Sequence, residues 1–185
     1  MRMPSRPSWR WLETPVGDGL VIAGPRGVLR AAFSRPDGTG MPREEELLIE
    51  TARVLGVVAV HDDASLAEMA RRVEDWFDGG VRELEVPVDL GAAAGFAREV
   101  WKAIGRIPYG DTVSYGGIAA AAGRPRAARA VGTACAAIPV PLFLPVHRVV
   151  RADGTTGEPP GDAAVRRMLL AHEQAVLGRG PSPWS

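Results

Sequence analysis

Near residue 90 the chain changes character, and that break limits the folds open to it. Before it, short apolar runs alternate with turn residues; after it, alanine-rich runs with helical spacing take over. The charge changes sign at the same place. Residues 1–90 hold 11 Lys/Arg and 16 Asp/Glu, a net of −5, and residues 91–185 hold 11 and 6, a net of +5. The 185-residue chain as a whole is neutral, with 22 of each sign, so the asymmetry is visible only by halves. This pattern predicts an α/β protein of two domains, a small N-terminal α/β domain over 1–90 and a helical domain over 91–178, with a tail over 179–185.

In the first half, Trp9–Thr14, Leu20–Ala23 and Val28–Phe33 read as strands. Pro15-Val16-Gly17-Asp18-Gly19 and Gly24-Pro25-Arg26-Gly27 between them are turn signals, which makes an antiparallel meander the economical arrangement. A polar loop follows over Ser34–Pro42. Glu44–Val54 is helical in pattern, and the apolar run Leu55–His61 either extends that helix or forms a strand. Ser65–Phe77 predicts a second helix, since Leu66, Met69, Val73 and Phe77 repeat at i, i+3, i+7 and i+11. Asp78-Gly79-Gly80 stops it, and Glu83–Val88 has the composition of a last strand.

In the second half, Phe96, Val100 and Ile104 mark one face of a helix ending near Gly105. Ser114 is an N-cap for a short helix Tyr115–Ala122, and Gly123 closes it. Pro125 suits the first turn of a further helix over about Arg126–Ala137, which Pro139 and Pro141 end. Two short helices joined by a glycine-containing turn are a helix-turn-helix candidate. Leu144–Arg151 reads as extended, Asp153-Gly154 as a tight turn, and Asp162 as the cap of a last helix to Leu177, beyond which Gly178 begins a frayed tail.

Composition excludes several function classes. Cys135 is the only cysteine, so neither an internal disulfide nor a cysteine-rich zinc site is available. His61, His147 and His172 lack metal-ligand spacing, and neither a metal nor a cofactor is expected. No run approaches the roughly 18 apolar residues of a membrane span. Met1–Trp11 has basic residues without an apolar core, so no secretory signal is expected and a cytoplasmic location is. Within 97–151 there are 8 basic residues and 2 acidic ones, the balance of a nucleic-acid-facing surface.

Three features bear on chemistry. His147 lies beside apolar residues, and a histidine oriented by a carboxylate such as Glu173 is the usual activator of an adjacent nucleophile. The adjacent residue is Val146, which has neither a lone pair nor a labile proton; a His–Glu pair there has nothing to activate, and composition alone favours a structural histidine. Cys135 sits mid-helix among Ala and Thr, where a buried thiol is ordinarily inert. The small residues of 127–134 fit either close packing against another helix or insertion into a narrow DNA groove, with Arg129 projecting from a face free of bulk.

Seven segments, in order, carry a resemblance. They are Val100-Trp101-Lys102, Ile107-Pro108-Tyr109-Gly110-Asp111-Thr112, Ser114-Tyr115, Gly123-Arg124-Pro125, Ala128-Arg129-Ala130-Val131-Gly132, Pro145-Val146-His147-Arg148-Val149 and Leu169-Leu170-Ala171-His172-Glu173. Together they resemble the methylated-DNA–protein-cysteine methyltransferases, the O6-alkylguanine-DNA alkyltransferases, over about 96–177. Trp11-Leu12-Glu13-Thr14-Pro15 and Glu74-Asp75-Trp76-Phe77 resemble that family's small RNase H-like domain.

The resemblance implies minor-groove binding through the second helix of the helix-turn-helix, with an arginine entering the base stack as the damaged guanine flips out. A tyrosine helps rotate the phosphate, and a cysteine in a Pro-Cys-His-Arg-Val motif takes the alkyl group once. By motif match the arginine is Arg129, the tyrosine Tyr115, and the His–Glu pair His147 and Glu173; Arg126, Ala127, Ala128, Ala130, Gly132 and Thr133 complete the implied DNA-facing set. The implied partners are double-stranded DNA, alkylated or not, and downstream repair proteins. The implied state is a monomer, nucleoid-associated if the source is bacterial.

The departures cluster around the implied pocket of Ile138, Val146, Val149, Pro159 and Pro160. Val146 stands at the cysteine position, Ile138-Pro139 replaces Asn-Pro, and Gly157-Glu158-Pro159-Pro160-Gly161 replaces the lesion loop Gly-x-Tyr-Ser-Gly. Alkyltransferase-like proteins also carry another residue at the cysteine and bind the lesion without repairing it. The likeness to them is partial, because they usually have Trp or Ala there and lack much of the N-terminal domain. The expectation is therefore a DNA-binding, damage-sensing protein without alkyl transfer. The alternatives are an active methyltransferase using an unusual acceptor, with Cys135 the only thiol available, and a protein-interaction module that no longer binds DNA.

Overall fold

The structure is a computed structural model that describes the chain except residues 2, 35–42, 92, 157–162, 182, 184 and 185 and the side chain of Ala163. The loop expected over Ser34–Pro42, the cap at Asp162 and the prolines Pro159 and Pro160 therefore lie, wholly or nearly so, outside the described residues. The chain divides into two compact units, Met1–Asp89 and Leu90–Ser185.

The first unit is built on a meander. Strands β1 (Ser8–Leu12), β2 (Gly19–Gly24) and β3 (Gly27–Phe33) pair antiparallel in sequence, and β4 (Val60–His61) joins β1 in parallel, giving the order β3-β2-β1-β4. β2 lies in the middle and every one of its residues is buried. The turn into β3 needs Gly27: its φ is +141°, and a Cβ there would strike the carbonyl of Pro87. Helix α1 (Glu44–Leu55) ends where Gly56 takes φ +72° and its N–H caps the Ala52 carbonyl at 2.8 Å. The run Leu55–His61 thus neither extends the helix nor becomes a full strand; only Val60 and His61 pair.

Helix α2 (Ala67–Phe77) buries Met69, Ala70, Val73, Trp76 and Phe77, the stripe expected from its periodicity. Full burial of each large apolar side chain contributes about 1.5–3 kcal/mol, so this face anchors the unit. It starts two residues later than expected because Ser65 donates its N–H to Asp62 Oδ1 at 3.0 Å in a preceding turn. Glu83–Val88 forms no strand. Glu85 sits at φ +48°, outside the β region, and Pro87 has no N–H to donate. What remains is one bridge, in which Val28 donates to Pro87 O at 2.8 Å and Asp89 donates to Val28 O at 2.9 Å.

The second unit is helical. It contains α3 (Gly95–Ile104), α4 (Tyr115–Ala121), α5 (Ala128–Ala136) and α6 (Ala163–Val176), with β5 (Val113–Ser114) and β6 (Val149–Val150) paired in parallel. α3, α4 and α5 pack on one another. Val100, Ile104 and Trp101 are buried, and the Trp101 indole donates to the Ala134 carbonyl at 2.9 Å, pinning α5 to α3. Leu144–Arg151 is not simply extended. Val146 donates to Leu144 O at 2.7 Å around Pro145 (φ −77°, ψ 61°), an inverse γ-turn, and a 3-10 turn over Val146–Arg148 leads into β6. Gly178 ends α6 at φ +70°, with Arg179 donating to Gln174 O at 2.8 Å, so the first residues past the helix form a cap. Among the described residues no helix is long and apolar enough to cross a membrane.

Candidate functional site

The α4–α5 pair is shaped by local sequence. Ser114 Oγ accepts the Gly117 N–H at 3.0 Å and starts α4, placing Tyr115 at its first position, half-buried. Gly123 at φ +77° ends the helical run, and a turn closed by Ala127 N–H on Arg124 O at 2.9 Å precedes α5. Pro125 and Arg126 therefore belong to the turn, and Ala127 is the cap residue, where the sequence predicted a helix already begun. The short turn satisfies its own hydrogen bond and delays helix entry to Ala128.

α5 has two unlike faces. Val131, Ala134 and Cys135 are buried, while Ala128, Arg129, Ala130, Thr133 and Ala136 are exposed. Gly132 lies between them, and among the described residues no atom comes within 4 Å of a Cβ built on it. Packing inside the protein thus explains Ala134 under Trp101 but leaves the smallness of Gly132 unexplained. Arg126 and Arg129 are exposed, and so is Arg124, whose guanidinium lies 5.0 Å from the centroid of the Phe96 ring. An exposed helix with little side-chain bulk and arginines at its entry can approach a polyanion closely.

A second constellation forms where the 3-10 turn meets α6. His147 Nε2 lies 2.8 Å from Glu173 Oε1, and both residues are fully or almost fully buried. Arg148 donates through Nε to Glu173 Oε1 at 3.0 Å and through Nη1 to the Ile107 carbonyl at 2.7 Å. Glu173 Oε2 accepts the Gly110 N–H at 2.8 Å, and Gln174 donates back to the Gly110 carbonyl at 2.7 Å. Burial pushes the His147 pKa below the ordinary imidazole value, outweighing the upward pull of Glu173. Burial pushes the Glu173 carboxyl up, but hydrogen bonds and charge from His147 and Arg148 outweigh it, and the group sits below its usual range. At neutral pH the cluster is a neutral imidazole, a carboxylate and a guanidinium.

Val146, half-buried, precedes His147. Its carbonyl accepts Arg166 Nη2 at 2.6 Å, and the same nitrogen donates to Val149 O at 3.1 Å. Val149 is fully buried on β6. Cys135 faces the interior, and burial pushes its thiol up to about 11, with Arg166 pulling the other way.

The structure therefore brings Val146, His147, Val149 and Glu173 together, though 24 residues or more of sequence separate the last from the rest. It gives Ile138, half-buried just after α5, only a backbone bond to Cys135 O at 3.3 Å among the described contacts. Arg148, Arg166, Gln174 and the Gly110 N–H were not singled out from sequence. Arg148 and Gly110 stand inside quoted motifs, but for Arg166 and Gln174 no local signal marks the role.

Against known proteins, the family described as "6-O-methylguanine DNA methyltransferase, DNA binding domain" matches residues 95–175. The constitutive methylated-DNA–protein-cysteine methyltransferase of Bacillus subtilis is 30% identical over 163 residues, 88% of this chain and 92% of that protein. The mouse methylated-DNA–protein-cysteine methyltransferase is 49% identical over 89 residues, 47% of this chain; the match spans 42% of the mouse protein. Among solved structures, the crystal structure of Mycobacterium tuberculosis O6-methylguanine methyltransferase superposes with a TM-score of 0.75 at 28% identity, covering 95% of each chain.

Proposed function

Because this chain belongs to the methylated-DNA–protein-cysteine methyltransferase family and carries its DNA-binding domain, we propose that it binds duplex DNA through the minor groove, flips and senses a damaged guanine, and transfers no alkyl group. The observation that carries this reading is Val146: it stands where the Pro-Cys-His-Arg-Val motif places the nucleophile, on a frame whose His147–Glu173 contact is intact at 2.8 Å. A valine side chain can neither attack the alkyl carbon nor be deprotonated.

Support for the DNA side comes from α5. Gly132 has open space where its side chain would be, and Arg129 projects from an exposed face of Ala128, Ala130 and Thr133. In this reading Arg129 enters the stack, Tyr115 attends the rotated phosphate, and Arg126, Ala127, Ala128, Ala130, Gly132 and Thr133 line the groove. Ile138, Val146, Val149, Pro159 and Pro160 border the base. The protein works as a monomer in the cytoplasm without a cofactor and passes the lesion to downstream repair proteins. Cys135 is a poor substitute acceptor, since it is buried and its thiol is pushed up to about 11.

The test is fluorescence anisotropy on matched duplexes with and without O6-methylguanine, together with intact-mass spectrometry after incubation. The expected result is tighter binding to the damaged duplex, steeply salt-dependent, with unchanged protein mass. A methyl adduct on Cys135 would overturn the absence of transfer. No binding at low salt would leave only a protein-interaction module.

A further inference from the structure

Little on the exposed face of α5 can tell one base pair from another. Ala128, Ala130 and Ala136 have no hydrogen-bonding side chain, and the guanidinium of Arg129 only donates. Thr133 is the exception. It lies one turn after Arg129 on the same face, is exposed, and carries the only side chain there that can accept a hydrogen bond. Its hydrogen is already placed, because Oγ1 donates to the Arg129 carbonyl at 3.5 Å, the bond a helical threonine makes to the residue four positions before it. The lone pairs of Oγ1 are left for whatever meets the exposed face. In the minor groove an A·T pair shows acceptors only, while a G·C pair adds one donor, the 2-amino group of guanine. A hydroxyl whose proton is committed to the helix has nothing to give the acceptors, but it can accept from that amino group.

We infer that Thr133 makes the protein prefer a G·C pair beside the damaged base, its Oγ1 accepting a hydrogen bond from the 2-amino group of the neighbouring guanine. The inference rests on the reading that α5 lies in the minor groove with Arg129 in the stack. One helical turn, about 5.4 Å, separates the two side chains along α5. Base pairs follow one another every 3.4 Å or so, so the pair contacted is within about two of the gap that Arg129 fills.

The experiment measures equilibrium binding of the full chain to duplexes with one O6-methylguanine at a fixed position. The two base pairs on each side of it are changed one at a time among G·C, inosine·C, A·T and 2,6-diaminopurine·T. Inosine removes the 2-amino group from a G·C-type pair, and diaminopurine adds it to an A·T-type pair. At one of these positions wild type is expected to bind the two amino-bearing pairs about fivefold more tightly than the two that lack it. Thr133→Val, which replaces the hydroxyl by a methyl group, is expected to lose that ratio, and Thr133→Ser to keep it. A preference that follows duplex stiffness instead of the amino group would survive in Thr133→Val and overturn the inference. Equal wild-type affinity for all four pairs at every position overturns it without any variant, and so does tighter binding to the pairs lacking the amino group. If no duplex is bound at low salt, the DNA-binding reading itself fails and takes this inference with it.

Discussion

The backbone N–H of Gly110 donates to Oε2 of Glu173 at 2.8 Å, across 63 positions of sequence. The pairing depends on a conformation only glycine takes easily. Gly110 sits at φ +77°, and a Cβ there would run into Leu177 Cδ1, just past the end of the helix that carries Glu173. Through Glu173 the Ile107–Gly110 turn, the 3-10 turn and α6 are tied at one carboxylate.

Glu173→Gln is therefore expected to cost about 3–5 kcal/mol of stability, because it leaves Arg148 buried without its counter-charge. Gly110→Ala should be destabilising for two reasons, the positive φ and the clash with Leu177. Urea unfolding of both variants measures this; a Glu173→Gln protein within 1 kcal/mol of wild type, to an approximate threshold, would show that the network holds little.

Stability should fall as the solution is acidified below the ordinary imidazole value of 6.5. Folded His147 has a depressed pKa, so below that point the unfolded chain binds the extra proton and the native state does not. The slope reaches about 1.4 kcal/mol per pH unit for one such group. Glu173, also depressed, adds a loss in the same direction further down, as pH drops below the ordinary carboxyl value of 4.5. Thermal unfolding from pH 8 to 4 should show the first fall in wild type and a smaller one in His147→Gln.

Arg129→Ala should reduce the preference for damaged over undamaged duplex by on the order of tenfold, more than it weakens general affinity. A side chain in the stack offsets part of an unstacking cost of a few kcal/mol, which a phosphate contact does not. Competition binding with both duplexes decides this. Equal losses would make Arg129 a backbone contact.

Val146→Cys should give a protein that demethylates O6-methylguanine DNA slowly. The thiol would stand beside His147 and within the field of Arg166, which favours thiolate. Geometry is the remaining obstacle, since a misplacement of roughly 1 Å can cost about 100-fold. Ile138 cannot make the hydrogen bonds of an asparagine, and Pro159 lacks both an N–H and a hydroxyl. Adding Ile138→Asn and Pro159→Tyr should raise the single-turnover rate. Should Val146→Cys alone match an ordinary family member, the loss of chemistry is a one-residue event.

What sequence alone determined was local. The Ser114 cap, the Gly123 stop, the meander turns and the α2 stripe each depend on residues within a few positions of one another, so periodicity and turn chemistry suffice to find them. The valine at position 146 was likewise plain from the motif. Where local rules failed, a distant partner or a backbone constraint had intervened: β4 exists because β1 offers Val60 and His61 an edge, and Glu85 and Pro87 deny Glu83–Val88 a strand. The contact of His147 with Glu173, the closure of the Gly110 turn onto the same carboxylate and the hold of Arg166 on the Val146 and Val149 carbonyls were decided only by tertiary structure. Each depends on groups 17 to 63 positions apart meeting in a dry interior, where burial sets the charge states. Spacing along a chain carries no information about any of these.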